Sequence, residues 1–192
     1  MIKLRNKQKI CIFSSSRADL GQLSGIIQKF QKSKKFDTEF VVSGLHLSNL
    51  TRYSFKETKN FNLSISKKIF VKMKNFNQRD INLYFSTYVK KFTDYFSKNK
   101  PDLLLILGDR YETLAIAISA FFFDIPIGHF HGGEVTLGSK DDSTRHAISK
   151  LSNYHFVANN IFKKRLIRMG ENPKFIFTVG SPGLTNLNRL RL

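Results

Sequence analysis

The five residues Leu103–Leu107 are aliphatic without interruption, fenced by Pro101-Asp102 before and Gly108 after. Such a run is too short for a helix and lacks the polar alternation of a strand with one wet face. It reads as a strand buried on both sides, as in parallel sheets sandwiched between helices. Further strands are expected at Ile10–Phe13, Phe40–Ser43, Pro126–Phe130, Tyr154–Ala158 and Phe175–Val179, with a short one at Ile69–Val71. Between them, apolar residues recur at helical spacing: Leu20, Leu23, Ile26, Ile27 and Phe30 mark one helix, and Ile81–Phe96 carries an apolar face along its length. Helices are also expected at Tyr111–Phe123, Asp142–Leu151 and Ile161–Met169. The alternation of strand and helix predicts an α/β fold, a doubly wound parallel sheet. Leu45–Ser66 has no periodicity and reads as the most loop-like, mobile stretch.

Composition narrows the function classes. A chain of 192 residues, 41% hydrophobic, sustains one domain with a real core but not two full-sized ones. A single cysteine, Cys11, excludes a disulfide framework and a cysteine-rich metal site, and its place inside an apolar strand makes it core. The longest apolar segment, Leu114–Phe123, stops at Asp124, well short of the roughly eighteen residues of a membrane span, so no membrane partner is expected. The basic stretch Met1–Lys9 precedes only four apolar residues, which is no secretory signal, so a cytoplasmic protein is expected. Thirty-two Lys and Arg against fourteen Asp and Glu give a formal charge of +18, which favours anionic partners. The lysines are spread among Asn, Phe and Ile, as in Lys67–Asn77 and Lys90–Lys100, so a solvated surface is expected and no specific nucleic-acid partner.

In an open α/β sheet, ligands bind beyond the carboxyl ends of the strands. After the first strand, Ser14-Ser15-Ser16-Arg17-Ala18-Asp19-Leu20-Gly21 offers small residues, a helix N-terminus and a cation suited to phosphate; the plain alternative is an ordinary N-cap beside a surface arginine. After Leu107, Asp109 and Arg110 cannot enter the core unpaired without a cost of several kcal/mol, so they pair with each other or serve a ligand. The next strand leads to His129-Phe130-His131-Gly132-Gly133-Glu134. Its two histidines at i and i+2 share a strand face, but no third ligand stands at a familiar spacing and no metal is expected. The glycine pair permits close backbone approach, and Glu134 has the freedom to act as an acid or base. Asp141 and Asp142 open the following helix, either as N-terminal charges or as an acid/base pair, with Arg145 and His146 one turn on. His155 begins an apolar strand and reads as structural.

Taken together, Ser16-Arg17-Ala18-Asp19, Ser43-Gly44-Leu45-His46-Leu47-Ser48, Gly108-Asp109-Arg110-Tyr111-Glu112 and the run from His129 through Arg145-His146 to Leu151 resemble the hydrolysing UDP-N-acetylglucosamine 2-epimerases of the sialic and legionaminic acid branch. Gly180-Ser181-Pro182-Gly183 resembles the turn where that family passes between its two domains, and the likeness is weak over Thr51–Lys100. The resemblance implies a Rossmann-like domain over 1–183, the amino-terminal half of a GT-B-like two-domain fold, with 184–192 opening the connection to an absent second half. It implies elimination of UDP from the sugar followed by addition of water, giving N-acetylmannosamine and UDP. No cofactor is needed, the ligand is a UDP-sugar, and the full-length protein is a homo-oligomer. Carried over, Asp109, His131, Glu134, Asp141 and Asp142 become the catalytic candidates. Arg17, Gly21, Arg110, Gly132, Gly133, Arg145 and His146 become the substrate-binding ones, with Arg17 and Arg110 at the diphosphate. Two alternatives stand beside this expectation: an epimerase for a UDP-diacetamido sugar, and a noncatalytic module that keeps UDP-sugar affinity.

Overall fold

The computed structural model describes residues 7–48, 53–72 and 77–184. Seven strands form one sheet in the order β3-β2-β1-β4-β5-β6-β7, every neighbouring pair parallel. They are β1 (Gln8–Ser14), β2 (Phe36–Val42), β3 (Lys67–Lys68), β4 (Leu103–Leu107), β5 (Ile127–Phe130), β6 (Tyr154–Val157) and β7 (Ile176–Thr178). Five helices connect them: α1 (Arg17–Lys32), α2 (Gln78–Phe96), α3 (Tyr111–Phe122), α4 (Lys140–Leu151) and α5 (Asn160–Arg168). The strand order reverses between β1 and β4, which opens a crevice at their carboxyl ends.

The aliphatic strands divide their side chains between two cores, as the period of two requires. Cys11, Phe13, Leu104 and Ile106 pack with Tyr88, Phe92 and Phe96 of α2 and with Ala115, Ile116 and Ile148 of α3 and α4. Ile10, Ile12, Leu105 and Leu107 face the other way, against Leu20, Leu23 and Ile27 of α1. Cys11 is wholly buried in the first core, where burial pushes its thiol up to about 12. At about 25 cal/mol per Å2 of apolar area buried, these two layers hold the helices against both faces of the sheet.

Two expectations need correction. The third strand lies at Lys67–Lys68 and not at Ile69–Val71. Ile69 instead turns its side chain into the core while its N–H donates to the Val42 carbonyl, so the exposed lysines carry the sheet edge. Leu45–Ser66 is not wholly loop: it contains 3-10 turns at Gly44–Leu47 and Ser54–Phe61, tied down by Gln28 Nε2 donating to the Phe61 carbonyl and Gln31 Nε2 to that of Ser64. Met1–Asn6, the middle of that stretch at 49–52, and 185–192 of the expected connection lie outside the described residues.

Candidate active site

The β1–α1 turn is built by a capping box. Ser16 accepts the Asp19 N–H, and Asp19 Oδ2 takes the N–H groups of Ser15 and Ser16 at 2.9 Å and the Ser15 hydroxyl at 2.8 Å. Arg17 is therefore the first residue of α1, with its guanidinium in water and its Nε 3.0 Å from Glu57 Oε2. Gly21 lies a turn further into the helix, where an added side chain would meet nothing within 4 Å. Behind this turn His46 is wholly buried, with Nε2 2.8 Å from Ser14 Oγ and Nδ1 2.9 Å from Ser54 Oγ. Burial lowers its pKa to about 4, so the neutral ring staples the Ser54–Phe61 turn to the end of β1.

At the end of β4, Asp109 and Arg110 do not pair with each other. Asp109 accepts a hydrogen bond from Arg145 Nη2 of α4, which also donates to Thr136 Oγ1 at 3.1 Å. Arg110 turns back toward Glu112 Oε2, 3.3 Å from its Nε. Each thus finds its opposite charge elsewhere in the fold, Asp109 in Arg145 and Arg110 in Glu112. His129 anchors the turn from beneath: its Nε2 donates to the Gly108 carbonyl at 2.7 Å, and its Nδ1 lies 3.2 Å from Ser149 Oγ. Complete burial drives its pKa down to about 3, so it is a neutral support.

His129, within β5, and His131, just beyond it, do not share a strand face. The strand ends at Phe130, and His131 adopts φ +65°, which swings its ring away from the alternation. His131 Nδ1 lies 2.7 Å from Glu134 Oε1, while its Nε2 is buried without a hydrogen-bond partner among the described residues. The close approach permitted by Gly132 and Gly133 is taken up by the protein itself. A Cβ on Gly133, at φ +76°, would stand 2.6 Å from the Phe162 carbonyl, and one on Gly132 would stand 3.0 Å from Ser149 Oγ. Arg165 of α5 closes the turn by donating to the Gly133 carbonyl at 2.7 Å.

The two aspartates of α4 separate in space. Asp142 accepts the Thr136 N–H at 2.9 Å and lies 3.5 Å from His146 Nε2, whereas Asp141 is exposed. Asp109, Thr136, Arg145, Asp142 and His146 thus form one linked chain between β4, the β5–α4 turn and α4. Arg145 is buried, yet its Nε and Nη1 lack hydrogen-bond partners among the described residues, as does His146 Nδ1. Each unpaired buried group of this kind costs about 1–3 kcal/mol, a cost that a ligand accepting or donating at the rim would remove. Arg17 and Glu57 stand apart from that chain, at the β1 end of the same carboxyl edge. Glu112, His46 and Thr136 lie within the segments that carry the resemblance but were given no role there, and Glu57 lies outside them; their roles come from partners distant in the chain or from burial.

A cavity of ≈ 290 Å3 lies at the opposite edge of the sheet, at the amino ends of β6 and β7, lined by His155, Glu171, Tyr154 and Phe175 among others. There His155 is buried with Nε2 3.2 Å from Glu171, which also holds Lys150 at 2.6 Å, a clamp between α4 and the turn before β7. No cluster of three or more His, Cys, Asp or Glu suited to a metal exists among the described residues, and no described helix is long and apolar enough to cross a membrane.

The sequence pattern of the family described as UDP-N-acetylglucosamine 2-epimerase matches residues 28–191. The chain belongs to that family. It is 41% identical to the UDP-N,N'-diacetylbacillosamine 2-epimerase (hydrolyzing) of Legionella pneumophila over 94% of its length, and 38% identical to the GDP/UDP-N,N'-diacetylbacillosamine 2-epimerase (hydrolyzing) of Campylobacter jejuni over 96%. It spans 48% of each of those proteins, about half the length of the curated relatives it matches. A solved UDP-GlcNAc 2-epimerase from Neisseria meningitidis bound to UDP-GlcNAc superimposes with a TM-score of 0.83 at 20% identity, over 96% of this chain and 51% of that one. At that identity the likeness is one of fold: the Rossmann-like half of a GT-B arrangement, as in the other epimerases of known structure.

Proposed function

We propose that the full-length protein is a hydrolysing 2-epimerase of a UDP-linked 2-acetamido hexose, with UDP-N-acetylglucosamine as the leading substrate and residues 1–183 as its amino-terminal domain. The observation that carries this reading is the linked rim chain Asp109–Arg145–Thr136–Asp142–His146, with the Glu134–His131 pair on the neighbouring β5 turn. Carboxylates held this way suit a reaction that moves a proton at carbon while a diphosphate departs.

In the first step a rim carboxylate, Asp109 or Glu134, takes the proton from C2. The C1–O bond breaks with its electron pair going to UDP, leaving a C1=C2 double bond in the sugar. In the second step water adds across that bond, hydroxyl to C1 and a proton to the opposite face of C2, giving free N-acetylmannosamine. Asp142, beside His146, is suited to deprotonate that water or supply that proton. Arg17 and Arg110 face the departing diphosphate, and their fixed charge favours it over the intact ester. Arg145 donates to Asp109 and fixes the orientation of its carboxylate. The reaction needs no cofactor, and the protein works in the cytoplasm as a homo-oligomer.

A second substrate reading, a UDP-diacetamido sugar, is favoured by one observation: relatives at 41% and 38% identity carry the diacetylbacillosamine name, against 32% for a UDP-N-acetylglucosamine 2-epimerase of Neisseria meningitidis. Presenting each sugar nucleotide to the full-length protein and following UDP release and the free sugar by NMR tests both. Release of UDP with N-acetylmannosamine supports the leading reading. A preference of about a hundredfold in kcat/KM for the diacetamido substrate favours the second. Release from neither overturns the proposal.

A further inference from the structure

Glu112 is the second residue of α3 and has no exposed surface. Neither of its carboxylate oxygens has a hydrogen-bond partner among the described residues, and the same holds for Arg110 Nε, 3.3 Å away. Gly44 forms the roof: at φ +58°, a Cβ there would stand 3.0 Å from Glu112 Oε1 and 2.7 Å from the Ser15 carbonyl. Only glycine fits, and the carboxylate is sealed from water. The other carboxylate acting on Arg110, that of Asp19, is turned to the β1–α1 turn, where its Oδ2 takes three donors from Ser15 and Ser16. Arg110 therefore turns to Glu112.

Burial raises the Glu112 pKa, and the Arg110 charge opposes that rise. Burial likewise works against the Arg110 charge, but Glu112, Asp19 and Tyr111 together outweigh it and the net shift is upward. A buried ion pair contributes little net stability compared with apolar side chains of the same volume. What this one provides is orientation. Arg110 is held by Glu112 at Nε and lies with Cζ 5.9 Å from the Tyr111 ring centroid, yet the side chain stays 30% exposed.

We propose that Glu112 is a positioning residue for the diphosphate site: by drawing Arg110 Nε into the fold, it presents the terminal amino groups of Arg110 to the diphosphate. This rests on the reading of the rim as a UDP-sugar site. The pair also offers a fixed geometry, since a planar guanidinium held at Nε has its opposite edge defined.

Calorimetric titration of the full-length protein with UDP and with uridine tests it. Glu112→Gln is expected to weaken UDP about tenfold while uridine changes by less than about twofold. Added to Arg110→Ala, which weakens UDP by itself, the same substitution is expected to cost less than about twofold more. Should Glu112→Gln fail to fold, Glu112→Asp keeps the charge, withdraws it by one methylene, and is expected to weaken UDP about threefold. UDP affinity unchanged in the Glu112 variants while Arg110→Ala weakens it would overturn the positioning role and leave the diphosphate reading standing. Equal losses for UDP and uridine would mark Glu112 as merely structural. UDP affinity unchanged in Arg110→Ala would remove Arg110 from the diphosphate site, and the proposal with it.

Discussion

Arg145, reaching from α4, donates to the carboxylate of Asp109, two residues beyond the end of β4, and ties that helix to the carboxyl end of the strand. Both side chains are largely out of water, 8% and 21% exposed. Removing one partner of such a pair leaves a charge without compensation, so Arg145→Met is expected to destabilise the fold by about 3 kcal/mol in urea denaturation. Asp109→Asn keeps the shape and is expected to lower kcat by about a hundredfold or more while UDP affinity stays within about twofold. Equal loss in both would mean that Asp109 only shapes the fold.

Glu57 stands where an anionic ligand of Arg17 would compete with it. An exposed pair of this kind contributes about 0–1 kcal/mol, so Glu57→Gln is expected to tighten UDP by up to about fivefold. Arg17→Ala is expected to weaken UDP, measured by the same titration. Unchanged affinity in both variants removes Arg17 from the phosphate site.

The aspartates at the start of α4 are expected to behave unequally. Asp142 is held by the Thr136 N–H and His146, whereas Asp141 is exposed. Steady-state kinetics should show a loss of about a hundredfold in kcat for Asp142→Asn and less than about twofold for Asp141→Asn. Two normal variants would remove both from acid/base duty.

Two buried histidines set an acid limit on stability. Burial depresses His46 from 6.5 to about 4, with Asp19 and Arg110 facing it, and His129 from 6.5 to about 3, with His155, Arg145 and His131 around it. The unfolded chain therefore binds protons that the folded chain refuses. Stability from these groups is full above pH 6.5 and is lost as pH falls toward 4. Each contributes a slope of about 1.4 kcal/mol per pH unit. The raised pKa of Glu112 acts in the opposite sense, its contribution fading as pH rises. Urea melts from pH 7 to 4.5 should show His46→Gln losing stability less steeply than the natural chain, by about one proton. Identical slopes would mean that His46 titrates freely.

The sheet was legible wherever burial on both sides left an aliphatic run, as at Leu103–Leu107, because that pattern has one physical solution. Lys67–Lys68 was not, since an edge strand of two exposed residues is chosen by pairing with Val41 and Val42 and not by its own polarity. The 3-10 turn at Ser54–Phe61 escaped for a similar reason: His46, Gln28 and Arg17 hold it from outside. The residue types at the rim could be read from their place after strands. Their partners could not. Asp109 finds Arg145 thirty-six positions away, and His131 leaves the strand through a left-handed backbone that no alternation rule foresees.

Turnover of UDP-N-acetylglucosamine by the full-length protein in heavy water, with the sugar read by proton NMR, tests whether this rim removes the C2 proton of a UDP-linked sugar as UDP leaves. The expected product is N-acetylmannosamine carrying deuterium at C2, with one UDP released per sugar and both signals appearing about a hundredfold more slowly or worse in Asp109→Asn. A released sugar that keeps its original C2 hydrogen would contradict it.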